Sequence, residues 1–200
     1  MVPPQANSPE SGAALIDTLV ALTLLVLTAA SVVPQVAPWA AELQASHQAR
    51  RVWQWMVAAQ TDAVRRGQAV GLEWSEREGR IWGLVFVDGN GNGITQSDLD
   101  AGIDVSAGAD VPMFEQASGV RFGITAKIRS IDDTGWLEPG SDPVRFGRTD
   151  RVTFTPDGRA TPGTVYLSGE GGTHFAVRVS GSTGRVQLLR YRRVPGDWVP

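Results

Sequence analysis

The chain has 200 residues, enough for one modest domain, and a formal net charge of −3 with a pI of about 5.4. This balance gives no global basicity, so a general affinity for nucleic acid or anionic lipid is not indicated. The sequence contains no cysteine, which excludes disulfides and thiolate metal sites. Its 23 glycines and 12 prolines fall mostly after residue 66 and indicate a turn-rich β region.

Residues 1–12 are polar and contain prolines, which predicts a leader with no fold of its own. Residues 13–33 then form an apolar run in which Asp17 is the one ionisable side chain. A helix of this length spans roughly 30 Å, about the hydrocarbon thickness of a bilayer, so a transmembrane helix is predicted. A cleaved secretory signal fits less well, because its apolar run is about 7–15 residues long and follows basic residues that the leader lacks. A buried helix of a soluble domain is the other alternative, but this run is apolar on all sides.

Asp17 is the unusual residue of this run. A carboxylate at a membrane-facing position costs about 2.5–3.5 kcal/mol on insertion scales, which favours a functional role with a cationic partner. If the chain is cut after Gly12, the new α-ammonium group of Ala13 lies one helical turn from Asp17, and a related subunit presents the same pair in reverse. The alternative is a side chain near the helix end that only reaches the headgroups.

The run GAALID at residues 12–17, followed by Leu-, Val- and Ala-rich sequence, resembles the class III signal of type IV pilins and type II secretion pseudopilins. The resemblance implies that a prepilin peptidase cleaves between Gly12 and Ala13 and methylates the new N-terminus at Ala13. It also implies that the carboxylate of Asp17 docks on a neighbouring filament subunit and that Pro34 kinks the helix. Two residues depart from the usual pattern, since Ala13 replaces Phe and Asp17 replaces the longer Glu.

The helix is predicted to continue to Gly67. Pro34 and Pro38 each remove a backbone hydrogen bond, so a kink or a local break is expected there. Residues 40–66 contain neither glycine nor proline, and their apolar side chains recur at about helical spacing, which predicts a stripe that packs on a soluble domain. The predicted stripe consists of Leu43, Val52, Met56, Ala59 and Ala63. The two arginines before Gly67 favour a helix end, because cations stabilise the C-terminus and glycine adopts the left-handed conformation.

Residues 68–200 predict a β-rich domain with short strands between glycine turns. The predicted strands are residues 69–74, 81–87, 120–128, 151–155, 164–168, 174–180 and 185–192. Residues 94–119 and 130–150 are polar and predict loops. With the resemblance above, the fold class is α+β and pilin-like: a long N-terminal helix, membrane-spanning in its first half, packed on a C-terminal antiparallel β-sheet domain.

Three further runs resemble the GspH/FimT branch of pseudopilins and minor pilins. Residues 62–70, DAVRRGQAV, resemble the run that leads from the helix into the first strand of that branch. Residues 82–93, WGLVFVDGNGNG, resemble its hairpin, and residues 152–160, VTFTPDGRA, resemble a turn nearer the C-terminus. From these runs, their order and the N-terminal signal, the chain is identified as a member of this branch.

Residues 88–93, DGNGNG, place oxygen donors at alternate positions and glycine at the sixth, like the first half of a calcium loop. The candidate ligands are Asp88, Asn90, Asn92 and Asp98. An EF-hand loop needs a glutamate at its twelfth position, however, and a leucine stands there. The favoured interpretation is a turn in which Asn and Gly supply positive φ angles, with no metal or other cofactor.

The C-terminal region is basic through Arg185, Arg190, Arg192 and Arg193. Some FimT-type minor pilins are DNA receptors with a G-R-x-R run near the C-terminus, and residues 184–187 reproduce its first half. DNA binding through these arginines is therefore one interpretation. The favoured interpretation is a solvated edge strand whose charges oppose pairing with another edge.

Catalysis has little support, because His47 and His174 are the two histidines of the sequence and no nucleophile elbow or P-loop is present.

The resemblance implies a minor pseudopilin of a type II secretion system, a structural subunit of the periplasmic pseudopilus tip. It implies a single-pass protein of the bacterial inner membrane with its C-terminal domain in the periplasm. The implied partners are other pseudopilins or minor pilins, the prepilin peptidase, the inner membrane and secreted cargo. The alternative is a FimT-like minor pilin in type IV pilus assembly or DNA uptake.

Overall fold

The computed structural model describes the backbone of residues 10–115, 119–147 and 149–200, and the side chains of the same residues except 10–13 and 30–39.

The long helix α1, Glu10–Arg66, contributes to both compact units of the chain, residues 1–40 and residues 41–200. The helix includes residues 10–12, which were predicted to belong to a leader with no fold of its own. The backbone is helical without interruption across residues 30–39, so the expected local break is not seen. Pro34 lies among the residues whose side chains are not described, and a kink there stays a prediction.

In the first unit, the described side chains of residues 14–29 are exposed. No helix in the described part of the chain has both the length and the hydropathy that crossing a bilayer requires. The predicted span, residues 13–33, includes Ala13 and residues 30–33, whose side chains are outside the described residues, and it stays a prediction.

In the second unit, α1 packs through one stripe of small and medium apolar side chains. The buried residues of the stripe are Ala45, Ala49, Val52, Met56, Ala59 and Ala63. Four of the five predicted stripe residues are among them, but Leu43 is 48 % exposed because it lies on the opposite side of the helix from Ala45. The helix ends at Arg66, where Gly67 has a φ of 67° and its N–H donates to Ala63 O at 3.0 Å.

A short helix α2 and a series of strands follow α1. Their bounds are β1 (Val70–Arg77), β2 (Arg80–Val87), α2 (Gln96–Asp100), β3 (Val105–Ser106), β4 (Val111–Glu115), β5 (Val120–Phe122), β6 (Ile128–Arg129), β7 (Trp136–Leu137), β8 (Val144–Arg145), β9 (Val152–Phe154), β10 (Gly163–Gly169), β11 (His174–Val179), β12 (Val186–Arg192) and β13 (Asp197–Val199).

The strands form two main antiparallel sheets. Sheet A has the order β3-β2-β1-β9, with β4 also paired to β2. Sheet B has the order β13-β12-β11-β10-β5, with β8 also paired to β10, and β6 pairs with β7. The main hydrophobic core joins the α1 stripe to both sheets, for example at Leu72 of sheet A and Val177 of sheet B. A smaller core around Tyr166 covers the other face of sheet B. The predicted pilin-like α+β fold is therefore confirmed.

Three segments differ from the predicted elements. Residues 94–119 contain α2, β3 and β4 rather than a loop alone, and β4 pairs with β2 across an irregularity at Ile81 and Trp82. The predicted strand 120–128 divides into β5 and β6. Gly123 N–H still donates to Tyr166 O at 3.2 Å, but Tyr166 N–H donates to Pro143 O at 2.8 Å, so β8 replaces this segment beside β10. Residues 130–150 contain the short strands β7 and β8.

The stripe on α1 leads to a stability prediction. Met56→Ala removes a fully buried side chain from the core, so the free energy of unfolding is expected to fall by about 2–5 kcal/mol. Leu43→Ala is the matched control, and its effect is expected to be within about 0.5 kcal/mol. Urea denaturation followed by circular dichroism measures both. Equal losses for the two variants would contradict the assignment of the buried face.

Candidate functional site

Asp17 lies on an exposed apolar stretch of α1. Its neighbours Leu15 and Ile16 are more than half exposed. The nearby Thr18 hydroxyl is satisfied within the helix, since its Oγ1 lies 3.0 Å from Ala14 O and 2.9 Å from Leu15 O. Asp17 itself forms no hydrogen bond or ion pair with another described residue. A lone carboxylate on an aliphatic helix surface can form an ion pair with a cation on another molecule.

The cleavage and methylation positions lie beside Asp17 on the same helix. Gly12 and Ala13 belong to α1, but their side chains are outside the described residues. The peptidase and methylation predictions therefore stay predictions.

The loop that follows β2 is organised by its carboxylates. Asp88 Oδ1 accepts hydrogen bonds from the N–H groups of Asn90 at 3.0 Å and Gly91 at 2.7 Å, and its Oδ2 accepts from Gly93 N–H at 2.7 Å. Asn92 Nδ2 donates to Asp98 Oδ2 at 2.9 Å. The predicted calcium ligands are thus brought together, but their oxygens accept hydrogen bonds from the loop itself, as in a chain of Asx turns.

Hydrogen bonds also act on the carboxyl group of Asp98. Those from Asn92 and Thr95 hold the pKa of Asp98 below its usual value. Gly91 and Gly93, rather than the asparagines, have the positive φ angles of the turn. Among the described residues, no group of three or more His, Asp or Glu side chains is arranged to hold a metal ion.

Asp104 completes the loop and was not singled out from the sequence. Its Oδ1 accepts from Gly89 N–H at 3.1 Å and its Oδ2 from Thr95 N–H at 3.0 Å, and the residue is buried. Asp104 lies 15 residues after Gly89, whose N–H it accepts, and this spacing forms no recognisable sequence motif. Asp104 therefore closes the loop onto its own beginning.

Among the described residues of the domain, Arg151 is the buried cation. Its Nη2 donates to Glu73 Oε2 at 2.7 Å and to Gln96 Oε1 at 3.2 Å, and its guanidinium lies 5.4 Å from the centre of the Phe86 ring. It ties β9 to β1, β2 and α2. No local pattern reveals this contact, because Glu73 and Arg151 are separated by 78 residues.

The four C-terminal arginines differ in their contacts with the rest of the domain. Arg190 forms an ion pair with Glu42 of α1. Arg193 Nη2 donates to Gly172 O at 3.0 Å and so holds the 3-10 turn Glu170–Gly172. Arg185 and Arg192 are exposed, and neither side chain has a hydrogen-bond or ionic partner among the described residues. Within the fold, two of the four predicted DNA-binding residues are therefore used for internal contacts.

His174 is the buried histidine of the domain. Its Nε2 accepts a hydrogen bond from Thr125 N–H at 3.1 Å, so its Nδ1 carries the proton and donates to Gly172 O at 3.1 Å. Burial lowers the pKa of His174 below 6.5, an effect that the hydrogen bond to Gly172 O opposes in part. The neutral ring links the loop after β5 to the turn that Arg193 holds.

The comparison with protein families agrees with this architecture. The family model described as Type II transport protein GspH matches residues 48–184. The chain belongs to the GspH family. The matched region contains the three runs, at residues 62–70, 82–93 and 152–160, on which the resemblance rests.

Among solved structures, this GspH-family chain is similar to the minor pseudopilin EpsH from the type 2 secretion system of Vibrio cholerae. The TM-score is 0.43 at 15 % identity, over 77 % of this chain and 99 % of that one. No curated protein matches.

The predicted family is thus confirmed, and with it the predicted function of a type II secretion minor pseudopilin. Membership in the GspH family implies a structural protein of the cell envelope that assembles with other pseudopilins.

The setting of His174 leads to a pH prediction. Its pKa in the fold lies below the 6.5 of the unfolded chain, so the unfolded chain binds a proton first as the pH falls. The contribution of His174 to the free energy of unfolding is expected to be greatest above pH 6.5. It is expected to decrease as the pH falls below that value and to level off below the pKa of His174 in the folded chain. Urea denaturation between about pH 7.5 and pH 5.5 measures this slope.

His174→Gln is expected to give a flatter profile, because the amide does not titrate. His47→Gln is the matched control, since His47 is exposed on α1. The assignment fails if His174→Gln and the unchanged chain show the same slope.

Proposed function

We propose that this GspH-family chain is a subunit of the tip of a periplasmic pseudopilus, anchored in the inner membrane by residues 13–33 with its β domain in the periplasm. The observation that carries the proposal is the family match over residues 48–184. The apolar sequence that precedes the matched region supplies the anchor.

Maturation follows from the resemblance of the N-terminal run. A prepilin peptidase cleaves between Gly12 and Ala13 and methylates Ala13, after which the α-ammonium group of one subunit pairs with Asp17 of its neighbour. The exposed and unpaired state of Asp17 supports this role, because a carboxylate in an apolar environment is stabilised by a cationic partner.

The partners of the chain are other pseudopilins of the filament tip and secreted cargo, and the role is structural rather than catalytic. The FimT-like alternative, DNA uptake by a type IV minor pilin, has less support. Its arginines are partly engaged within the fold, Arg190 with Glu42 and Arg193 with Gly172.

Removal of the carboxylate tests the assembly role. Asp17→Ala is expected to reduce secretion of a type II substrate at least about tenfold, because the intersubunit ion pair is lost in a medium of low dielectric. The measurement is the ratio of substrate in the medium to substrate in the periplasm, at equal cellular levels of the chain. Thr18→Val is the matched control, since its hydroxyl bonds only within the helix. Normal secretion by Asp17→Ala would contradict the proposal.

The N-terminus of the mature protein tests the maturation step. In cells with the prepilin peptidase, the purified chain is expected to begin at Ala13 and to carry a methyl group, and in cells without the enzyme it is expected to retain the leader. Intact-mass spectrometry of both preparations gives the answer. An identical start in the two strains would overturn the pilin pathway for this chain.

A further inference from the structure

The outer edge of β12 is only partly covered. β13 pairs with β12 at Arg190, Tyr191 and Arg192, whereas β12 begins at Val186. No strand in the described part of the chain pairs with this edge over residues 186–189. The sheet therefore ends there in an open stretch.

The direction of the free backbone groups follows from two contacts. Trp53 Nε1 of α1 donates to Val186 O at 3.2 Å, so the carbonyl of Val186 points to the outer edge. Arg185 O accepts from Ser180 N–H at 3.0 Å, on the side of β11. Because successive residues of an antiparallel strand point to alternate sides, the N–H and C=O of Leu188 face outward. Both groups are available for another strand.

A groove of about 360 Å³ runs along this open edge. Its lining includes Arg50 and Trp53 from α1, Arg185 directly before β12, Val186 and Leu188 from β12, and Pro200 directly after β13. Within the part of the chain that the structure describes, no carboxylate side chain lines this groove, and the guanidinium groups of Arg50 and Arg185 form no ion pair. The groove thus combines aliphatic walls, two free cations and unpaired main-chain groups.

We propose that this groove binds an extended acidic segment of a neighbouring pilus subunit as an added β-strand, in line with β13. Leu188 supplies the main-chain hydrogen bonds, Val186 and Leu188 contact alternate side chains, and Arg50 and Arg185 pair with carboxylates of the incoming segment. The inference rests on the proposed function in one respect, that the partner is another subunit of the pseudopilus.

The pattern of charge favours a binding edge over an edge protected against pairing. Protected edges carry charges within the strand or end in a bulge. Here residues 186–189, VQLL, are uncharged, and the arginines only border them. A nucleic acid would satisfy the arginines but would leave the outward N–H and C=O of Leu188 without a strand partner.

A direct binding experiment uses the full chain in a nonionic detergent and the fluorescein-labelled synthetic peptide TVEVEVT, followed by fluorescence anisotropy. The peptide is expected to bind, and its affinity is expected to fall at least about tenfold for the double variant Arg50→Glu, Arg185→Glu. Arg121→Glu is the matched control, because Arg121 is an exposed arginine on β5, at the other end of sheet B. Thermal unfolding of all variants verifies that each remains folded.

Hydrogen–deuterium exchange identifies the binding mode in the same samples. The peptide is expected to slow amide exchange over residues 186–189, and a variant peptide with proline at its centre, TVEPEVT, is expected not to bind, since proline cannot complete the strand.

Absence of binding by TVEVEVT, or binding that the Arg50→Glu, Arg185→Glu change leaves intact, would overturn the inference. An oligonucleotide that binds with the same dependence on Arg50 and Arg185 and leaves exchange at residues 186–189 unchanged would overturn it too, in favour of an anion site.

The secretion assay separates this inference from the proposed function. If Asp17→Ala abolishes secretion but the peptide does not bind, the strand-addition inference fails alone. If the peptide binds as expected but Asp17→Ala secretes normally, the proposed assembly role fails and the groove remains a strand-binding site.

Discussion

The close contact of α1 with the two sheets is the constraint on which the domain depends. The helix approaches through alanines, and the strands meet it with glycines. A Cβ placed on Gly169 of β10 would lie 2.6 Å from Ala45 Cβ, and one on Gly83 of β2 would lie 2.6 Å from the Trp55 ring. Such distances leave no room for a larger side chain, since interiors are packed to crystal-like density. The helix therefore lies near enough for Trp53 to reach Val186 O.

Two kinds of interaction stabilise the buried charged side chains of the domain, namely an ion pair and backbone hydrogen bonds. Buried Arg151 uses charge, because Glu73 and the Phe86 ring both compensate its guanidinium. Removing one partner of such a pair leaves a buried charge without compensation. This destabilises the fold by more than the intact pair stabilises it. The loop of residues 88–104 uses hydrogen bonds instead, and its amide groups surround the carboxylates of Asp88 and Asp104. The ion pair of Arg151 joins distant segments of the chain, whereas the hydrogen bonds to Asp88 and Asp104 organise a single loop.

Local signals made much of the fold predictable. The β1–β2 hairpin follows from alternating apolar residues on each side of a turn, where Glu78 and Gly79 have positive φ angles. The same reasoning gives β11 and β12, and the single carboxylate of residues 13–33 makes Asp17 a candidate from sequence alone. β4 and β13 were missed, because a five-residue strand with an internal proline and a three-residue strand carry too little pattern. The groove at Leu188 was also missed, since it depends on where β13 stops and on a contact between Trp53 and a strand 133 residues away.

Amide donors neutralise no charge, so the loop after β2 retains its full negative charge. Residues 81–120 contain six acidic residues and no Lys, Arg or His, whereas residues 171–196 contain no acidic residue and five arginines. Asp110 and Glu115 pair with Arg77 and Arg80, whereas Arg178 and Arg190 pair with Asp132 and Glu42. The imbalance that remains is negative in the loop after β2 of sheet A and positive at Arg185 and Arg192 beside the other strands of sheet B. A partner with the opposite arrangement is rotated into register while still separated by about 10 Å, the range over which charges act at moderate salt. Ionic strength would then set how fast the subunit joins an assembly, independently of how tightly it is held once there.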